Sequence, residues 1–303
     1  MAGDATVTRL LAALALVSVL LPPAVDAFTV TDQTGRRLAL TSPPARIVSL
    51  VPSVTETLFT IGAQDRLVGV TDFCDYPAGA RRKPSVGGMV SPSLEGIVAL
   101  EPDLIVATPA GNRHETFTHL KRLKLPIFLV DPSTVSDVLD LIGRLGRLTD
   151  RAQPADRVVA ALRDRIQTVS TRVAGRPRPR VLYVLWPDPL IVPARVALVS
   201  ELIALAGGDS VTADGGQGYP RYSMEAALAR NPEVILIASH EATRSPLARS
   251  KWERFTQVPA VGAGRLHTVD GNLMHRYGPR VVDGLEVLAR LIHPEAFDRA
   301  ALR

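Results

Sequence analysis

The chain has 303 residues, 46% of them hydrophobic, and a formal net charge of +5. This length suits two lobes of ordinary size, each with its own core. The 35 basic residues alternate with 30 acidic ones without a block of like charge, which argues against a nucleic-acid partner. A single cysteine, Cys74, excludes an internal disulfide and makes a thiolate metal site implausible.

Residues 1–27 have the pattern of a secretory signal rather than of folded structure. Arg9 precedes an apolar run over 10–21, and the small-residue box Val25-Asp26-Ala27 predicts cleavage before Phe28. The run is about a dozen residues long, whereas a membrane-spanning helix needs roughly 20. We therefore expect an exported protein in the periplasm, with an uncleaved anchor as the alternative.

In the first half of the chain, short apolar runs alternate with segments of helical period, which predicts a parallel sheet covered by helices. Between the first two predicted strands, Ser53 and Glu56 have the spacing of a capping box, and Gly62 supplies a left-handed helix stop. The predicted strands of this half are 47–51, 67–71, 104–107 and 127–130.

Two helices are predicted next, over about 133–148 and from Pro154 to Gly175. The second has about 20 residues, so at 1.5 Å per residue it is roughly 30 Å long and can cross from one lobe to another. The predicted elements beyond it are a strand at 181–185, a helix at 199–206 and a strand at 234–238.

One motif occurs twice in the chain. Ser93-Leu94-Glu95 is followed by Pro102-Asp103-Leu104-Ile105, and 130 positions later Ser223-Met224-Glu225 is followed by Pro232-Glu233-Val234-Ile235. Each copy predicts a short capped helix, a turn and a buried strand. The expected fold class is therefore α/β, with two similar α/β lobes joined by a single long helix and a ligand cleft between them. The expected boundaries are a signal at 1–27, lobes at 28–150 and 176–303, and the joining helix at 151–175.

The sequence resembles the cobalamin and ferric-siderophore periplasmic binding proteins over essentially all of the mature chain. The segments that carry the resemblance are 46–56, Asp75-Tyr76-Pro77, Val86-Gly87-Gly88, 94–105 and Arg276-Tyr277-Gly278-Pro279-Arg280. The resemblance is closer to the cobalamin branch, through residues 75–77 and 94–100. It implies a class III periplasmic binding protein with a helical backbone, which acts as a monomer beside the permease dimer of an ABC importer.

The resemblance also implies two functional surfaces. Glu95 and Glu225 match the glutamates that dock on the permease, although each also has the placement of a carboxylate that stabilises a helix N-terminus. In the cleft, Tyr76 matches a ligand-contacting tyrosine, while Met89 and Tyr219 stand where the cobalamin branch has tryptophan. Aromatic rings suit a flat corrin, and a thioether packs well on such a face. Further candidate ligand contacts are Trp186, which has a core position as its alternative, and Arg276 and Tyr277, which could instead simply form a turn.

Other classes of protein find less support in the sequence. His114 and His119 are five residues apart, about 140° around a helix, and so cannot share a metal as a four-residue spacing can. No catalytic set and no resident cofactor are expected. The expected function is capture of a corrinoid for import; a ferric siderophore or haem binder is the first alternative, and a transition-metal binder is the second.

Overall fold

The computed structural model describes residues 28–239 and 246–297. The predicted signal at 1–27 lies outside them. The strands are β1 (Phe28–Thr31), β2 (Arg37–Leu40), β3 (Ile47–Ser49), β4 (Leu67–Val70), β5 (Leu104–Ala107), β6 (Ile127–Leu129), β7 (Arg180–Val184), β8 (Trp186–Pro187), β9 (Leu190–Ile191), β10 (Asp209–Ser210), β11 (Val234–Ser239) and β12 (Leu266–Asp270). The helices are α1 (Pro52–Thr60), α2 (Leu94–Ala99), α3 (His114–Arg122), α4 (Val135–Leu148), α5 (Ala152–Val173), α6 (Leu198–Leu205), α7 (Met224–Ala229), α8 (Pro246–Glu253), α9 (Pro259–Gly262), α10 (Gly271–His275) and α11 (Val281–Ile292).

Two separate four-stranded parallel sheets form the cores of two lobes. The strand order is β4-β3-β5-β6 in the N-terminal lobe and β10-β7-β11-β12 in the C-terminal lobe. Numbered within its own lobe, each sheet has the order 2-1-3-4, so the predicted duplication extends to the topology. Strands such as β5 are buried along their whole length, as expected for a parallel sheet covered on both faces.

The two lobes also share a side-chain clamp. The Arg46 Nε donates to the Glu101 carbonyl at 3.0 Å, and the Arg180 Nε donates to the Asn231 carbonyl at 2.9 Å. Glu101 and Asn231 are 130 positions apart, and both have a positive φ, 46° and 48°. The turn that follows α2 is therefore reproduced after α7, together with the arginine that holds it.

Helix α5 joins the lobes. Near its start, Ala155 packs closely against Gly146 of α4, where an added Cβ would lie 2.3 Å from the Ala155 Cβ. Further along, Arg165 makes ion pairs with Asp283 at 2.6 Å and Glu286 at 2.8 Å, both on α11. Although burial opposes the shift, these carboxylates raise the pKa of Arg165, with the Glu286 hydrogen bond contributing most. The same helix thus packs on both lobes, as its length predicted.

The capping-box prediction for Ser53 and Glu56 is wrong. Helix α1 starts at Pro52, its N-cap is Val51, and no side chain caps it. The pattern is local, whereas the Glu56 carboxylate has two arginines from the other end of the chain as partners. A capping box does occur at Thr134 and Asp137, so α4 begins at Val135, later than predicted.

Candidate functional site

A cavity of about 700 Å³ lies between the lobes. Many of its walls are segments that follow directly after strands: Val51–Ser53 after β3, Thr108 after β5, Leu185 after β7 and Gly271 after β12. In open parallel sheets, ligands bind at this carboxyl edge. The remaining lining residues are Phe73, Met89, Ala110, 130–133, Val196, Ala197, Gly218, Tyr219, Asn272, and His275 to Tyr277. Of these, 130–133 follow β6, and Asn272 and His275 lie in α10.

Four of the six predicted ligand contacts line this cavity: Met89, Tyr219, Arg276 and Tyr277. Tyr76 and Trp186 are not among its lining residues. The Tyr76 ring, 46% exposed, stacks on the Arg280 guanidinium at 3.8 Å. The Trp186 indole N–H donates to the Asp188 carbonyl at 3.0 Å. Four of the six candidates therefore lie together at this cavity, and the aromatic candidates Tyr76 and Trp186 lie elsewhere.

The N-terminal side of the cavity is held by a buried amide. The Asn112 side chain donates to the Met89 carbonyl at 2.7 Å and accepts from the Thr108 N–H at 2.8 Å. This bridge ties the loop that carries Met89 to the end of β5. Because Met89 is a flexible side chain on a fixed backbone, it can adapt to a flat ligand face.

On the C-terminal side, hydroxyl and imidazole groups form a network. The His275 Nε2 is 2.9 Å from the Tyr183 hydroxyl, and its Nδ1 is 3.5 Å from the Tyr219 hydroxyl. The Tyr219 and Tyr277 hydroxyls are 3.2 Å apart. Burial is the main cause that raises the pKa of Tyr183, Tyr219 and Tyr277, so these phenols are neutral at physiological pH.

A charged cluster crosses between the lobes beside the cavity. Glu56 of α1 is 2% exposed and accepts two hydrogen bonds from Arg280, from Nε at 2.8 Å and from Nη2 at 2.6 Å. Arg276 lies 3.4 Å from the same carboxylate and also pairs with Asp75. Two arginines of the C-terminal lobe thus meet two carboxylates of the N-terminal lobe.

The contacts within this cluster shift the pKa values of Asp75, Arg276 and Arg280. Burial acts to raise the pKa of Asp75, but the hydrogen bond and charge of Arg276 outweigh it and hold this pKa below its ordinary value. Burial likewise acts to lower the pKa of Arg276, and its two carboxylate partners raise it overall. For Arg280 the hydrogen bond with Glu56 is the largest cause of a raised pKa. All three groups are therefore charged at neutral pH.

Sequence reasoning missed several lining residues. Phe73 and Val196 are both 57% exposed, which is unusual for large apolar side chains and typical of a ligand surface. His275 stands in no recognisable motif of the sequence, but it lies at the centre of the hydroxyl network. Phe73 stands two positions before Asp75, so its closeness to the Asp75-Tyr76-Pro77 motif was the one signal available.

Glu95 and Glu225 occupy equivalent places in the two lobes. Each is the second residue of a short helix whose N-cap serine accepts a hydrogen bond, from the Gly96 N–H at 3.0 Å and the Ala226 N–H at 3.3 Å. Both side chains are exposed, and neither carboxylate makes a hydrogen bond or ion pair within the described residues. The serines already satisfy the helix starts, so the glutamates are available to other partners.

The described ranges, 28–239 and 246–297, contain no group of three or more His, Cys, Asp or Glu residues placed to hold a metal ion. No helix in them is long and apolar enough to cross a membrane.

The fold and the cavity define a ligand-binding protein with two lobes and a helical connection, the architecture of class III periplasmic binding proteins. Residues 47–273 match the family model described as periplasmic binding protein, so the chain belongs to this family. The family consists of solute-binding proteins and not of enzymes, which confirms that expectation. It carries a transported ligand rather than a resident cofactor, and it works with ABC permeases of the inner membrane.

Individual relatives differ in what their names say they bind. The vitamin B12-binding protein of Vibrio cholerae is 30% identical over 253 residues, which are 84% of this chain and 91% of that protein. The crystal structure of the vitamin B12-binding protein BtuF of Vibrio cholerae has a TM-score of 0.74 at 29% identity, covering 84% of this chain and 98% of that one. The haem-binding protein RhuT from Roseiflexus sp. RS-1, in its apo form, also reaches 0.74, at 26% identity, covering 83% and 99%.

Proposed function

We propose that this protein is the solute-binding component of an ABC importer that takes up a corrinoid, cobalamin, in the periplasm. The observation that carries the proposal is the interlobe cavity, with apolar and aromatic side chains on facing walls. Met89 and Phe73 stand on the N-terminal side, and Tyr219 and Tyr277 on the C-terminal side. A large flat macrocycle gains contact area from such walls while needing few directional bonds. The similarity to the vitamin B12-binding protein of Vibrio cholerae supports the same ligand.

A direct titration tests the ligand. We expect isothermal titration calorimetry with cyanocobalamin to show saturable binding at one site. Substitution Tyr219→Ala, which removes a cavity wall, should weaken that binding by about tenfold or more, since truncating an aromatic contact commonly costs over 1 kcal/mol. Trp186→Ala is the matched control, because Trp186 does not line the cavity. No heat with cyanocobalamin at high protein concentration would refute the corrinoid proposal.

Haem is the second candidate ligand, and a specific observation favours it. Phenol and imidazole groups are known axial ligands of haem iron, and Tyr219, His275 and Tyr277 all line the cavity. Against this, burial raises the pKa of both phenols and disfavours the phenolate form. Titration with haemin, followed by the change in its Soret absorption band, distinguishes a haem-binding protein from a corrinoid-binding one. A ferric hydroxamate in the same titration covers the siderophore alternative.

We also propose that Glu95 and Glu225 dock the loaded protein on the two permease subunits. Their equivalent positions at 130 residues' separation would present one carboxylate per lobe to a two-subunit partner. Docking glutamates need to be exposed and unpaired, and both are so within the described residues. The competing role, stabilisation of a helix N-terminus, is worth only a few tenths of a kcal/mol.

Charge reversal distinguishes docking from helix stabilisation. In cells that express the protein with its permease, Glu95→Arg and Glu225→Arg should each abolish most cobalamin uptake while leaving the calorimetric affinity within twofold. Asp156→Arg is the matched control, an exposed carboxylate near the start of α5, and it should transport normally. Loss of affinity in the glutamate variants would place these residues at the ligand instead.

A further inference from the structure

We infer that the cavity selects macrocycles whose periphery is uncharged, such as carboxamides, and discriminates against macrocycles with peripheral carboxylates. This inference rests on the proposed function, and it names the property of the ligand that the cavity recognises. It follows from the charges along the cavity wall and from how each is already used.

Among the lining residues within 28–239 and 246–297, Arg276 carries the one guanidinium, and no lysine accompanies it. This guanidinium already pairs with Asp75 and lies 3.4 Å from Glu56. The second arginine of the cluster is Arg280. Its guanidinium already makes a bidentate pair with the Glu56 carboxylate. A ligand carboxylate would have to displace one of these protein carboxylates: Asp75, which is partly buried, or Glu56, which is buried. Removing a partner from such a pair has a cost in free energy.

The other charge on the wall is negative. Asp131 follows β6, is exposed and lines the cavity. Its carboxylate makes no hydrogen bond or ion pair with any residue that the structure describes. Only its backbone N–H is engaged, by the Gln33 side chain at 3.0 Å. An anionic ligand would therefore meet an uncompensated like charge, and repulsion between the two charges opposes its binding.

Neutral hydrogen-bonding groups complete the wall. Ser53, which is 6% exposed, and Asn272 both line the cavity, and their side chains make no hydrogen bond within the described part of the chain. A serine hydroxyl and an asparagine amide can each donate and accept, which is the complement of a ligand carboxamide. The Tyr277 hydroxyl adds a third uncharged group beside Tyr219.

Matched ligand pairs test the inference. Cyanocobalamin is compared with the monocarboxylate obtained by hydrolysis of one peripheral propionamide, and haemin is compared with its dimethyl ester. We expect the uncharged member of each pair that binds to bind at least tenfold more tightly by calorimetry. Equal or tighter binding of the carboxylate member would overturn the inference. Failure of both cobalamins with retention of a haem pair would refute the corrinoid proposal and still test the selection.

A variant that releases Arg276 makes the test specific to this cluster. Asp75→Asn removes one of its two carboxylate partners and should reduce the preference for the uncharged ligand to within about threefold. Asp214→Asn is the control, because it frees Arg230 from an exposed pair at 2.6 Å and leaves the lining residues unchanged. An unaltered preference in Asp75→Asn, with native circular dichroism, would show that Arg276 does not govern selection.

Discussion

The two lobes have the same scaffold but use equivalent residues differently. Both have the strand order 2-1-3-4, a serine-capped short helix and an arginine clamp on the turn after it. Yet Glu56 binds arginines of the opposite lobe, whereas Glu201 accepts the Val135 N–H at the start of α4 at 2.9 Å. Glu201 is its counterpart because it stands six residues before the helix-ending Gly207, as Glu56 stands six before Gly62. Elements that form each sheet have been kept, and residues that face the other lobe have diverged.

The cavity walls show the same contrast. The N-terminal side contributes mainly apolar groups such as Phe73 and Met89, and the C-terminal side contributes the hydroxyl and imidazole network of Tyr219, His275 and Tyr277. Loops at the carboxyl ends of strands tolerate change without disturbing the sheets. One scaffold, duplicated, therefore supports a cleft with two chemically different faces.

The largest difference between the lobes should appear in the free energy of unfolding when Glu56 and Glu201 are substituted. Glu56→Gln removes the charge between two partly buried arginines and should lower the free energy of unfolding by about 3–5 kcal/mol. Glu201→Gln should change it by less than about 1 kcal/mol, because an amide oxygen can still accept the Val135 N–H. Urea unfolding at neutral pH measures both. Equal losses would mean that the Glu56 cluster adds nothing beyond an ordinary hydrogen bond.

Alanine substitutions at two equivalent glycines should differ by a smaller amount in their cost to stability. Gly62 and Gly207 both end a helix with positive φ, +74° and +81°. At Gly62 an added Cβ meets nothing within 4 Å, but at Gly207 it would lie 2.7 Å from the buried His293 Nε2 and 3.0 Å from the Val173 Cβ. We expect Gly62→Ala to cost about 1 kcal/mol from backbone strain and Gly207→Ala about 3 kcal/mol, since overpacking adds to the strain.

Thermal unfolding of the two glycine variants, with urea unfolding as a check, measures that difference. The Gly62 variant is the control for the left-handed backbone, which both positions share. A Gly207→Ala variant as stable as Gly62→Ala would show that His293 and Val173 move aside readily.

The smallest expected effect is the pH dependence of stability that Asp75 and Glu201 contribute. Their contributions are opposite in sign. Arg276 holds the pKa of Asp75 below its ordinary 3.8, so the ionised form stabilises the fold above about pH 3.8, and this contribution is lost as the pH falls below it. Burial raises the pKa of Glu201 above its ordinary 4.5, so its ionised form costs stability, and acidification towards pH 4.5 relieves that cost.

Variants isolate these two contributions from the other carboxylates. Relative to the unmodified protein, Asp75→Asn should lose less stability on acidification below pH 3.8. Glu201→Gln should lose more as the pH approaches 4.5 from above, because it lacks the compensating gain. Urea midpoints at a series of pH values provide the measurement. Parallel curves for all three proteins would contradict both assignments.

Much of the fold could be predicted because its signals are local. The apolar run at 104–107 and the serine that precedes each short helix depend on neighbours a few residues away, and the structure has β5 and two serine caps at those positions. The same local reasoning was wrong for Ser53 and Glu56. Their spacing satisfies a capping box, and nothing nearby reveals that Glu56 is buried against residues more than 200 positions later.

The cavity was predicted in part for a related reason. Met89 and Tyr219, which the resemblance placed where the cobalamin branch has tryptophan, both line it. Trp186 was selected as an aromatic residue after a strand, but its indole N–H bonds locally to Asp188 instead. Aromatic residue type is compatible with core, surface and ligand wall alike, so it does not by itself decide between them.

By itself, the sequence determined two copies of one α/β unit, the long helix between them and the glutamate that each copy presents, because periodicity, caps and turns are written in neighbouring residues. Only the tertiary structure decided that Arg276 is neutralised by Asp75 and Glu56, that His275 joins two tyrosines, and that Phe73 faces the cavity. The charge available to a ligand depends on which distant groups the fold brings within a few ångströms, since electrostatic interactions fall with distance in space and not along the chain.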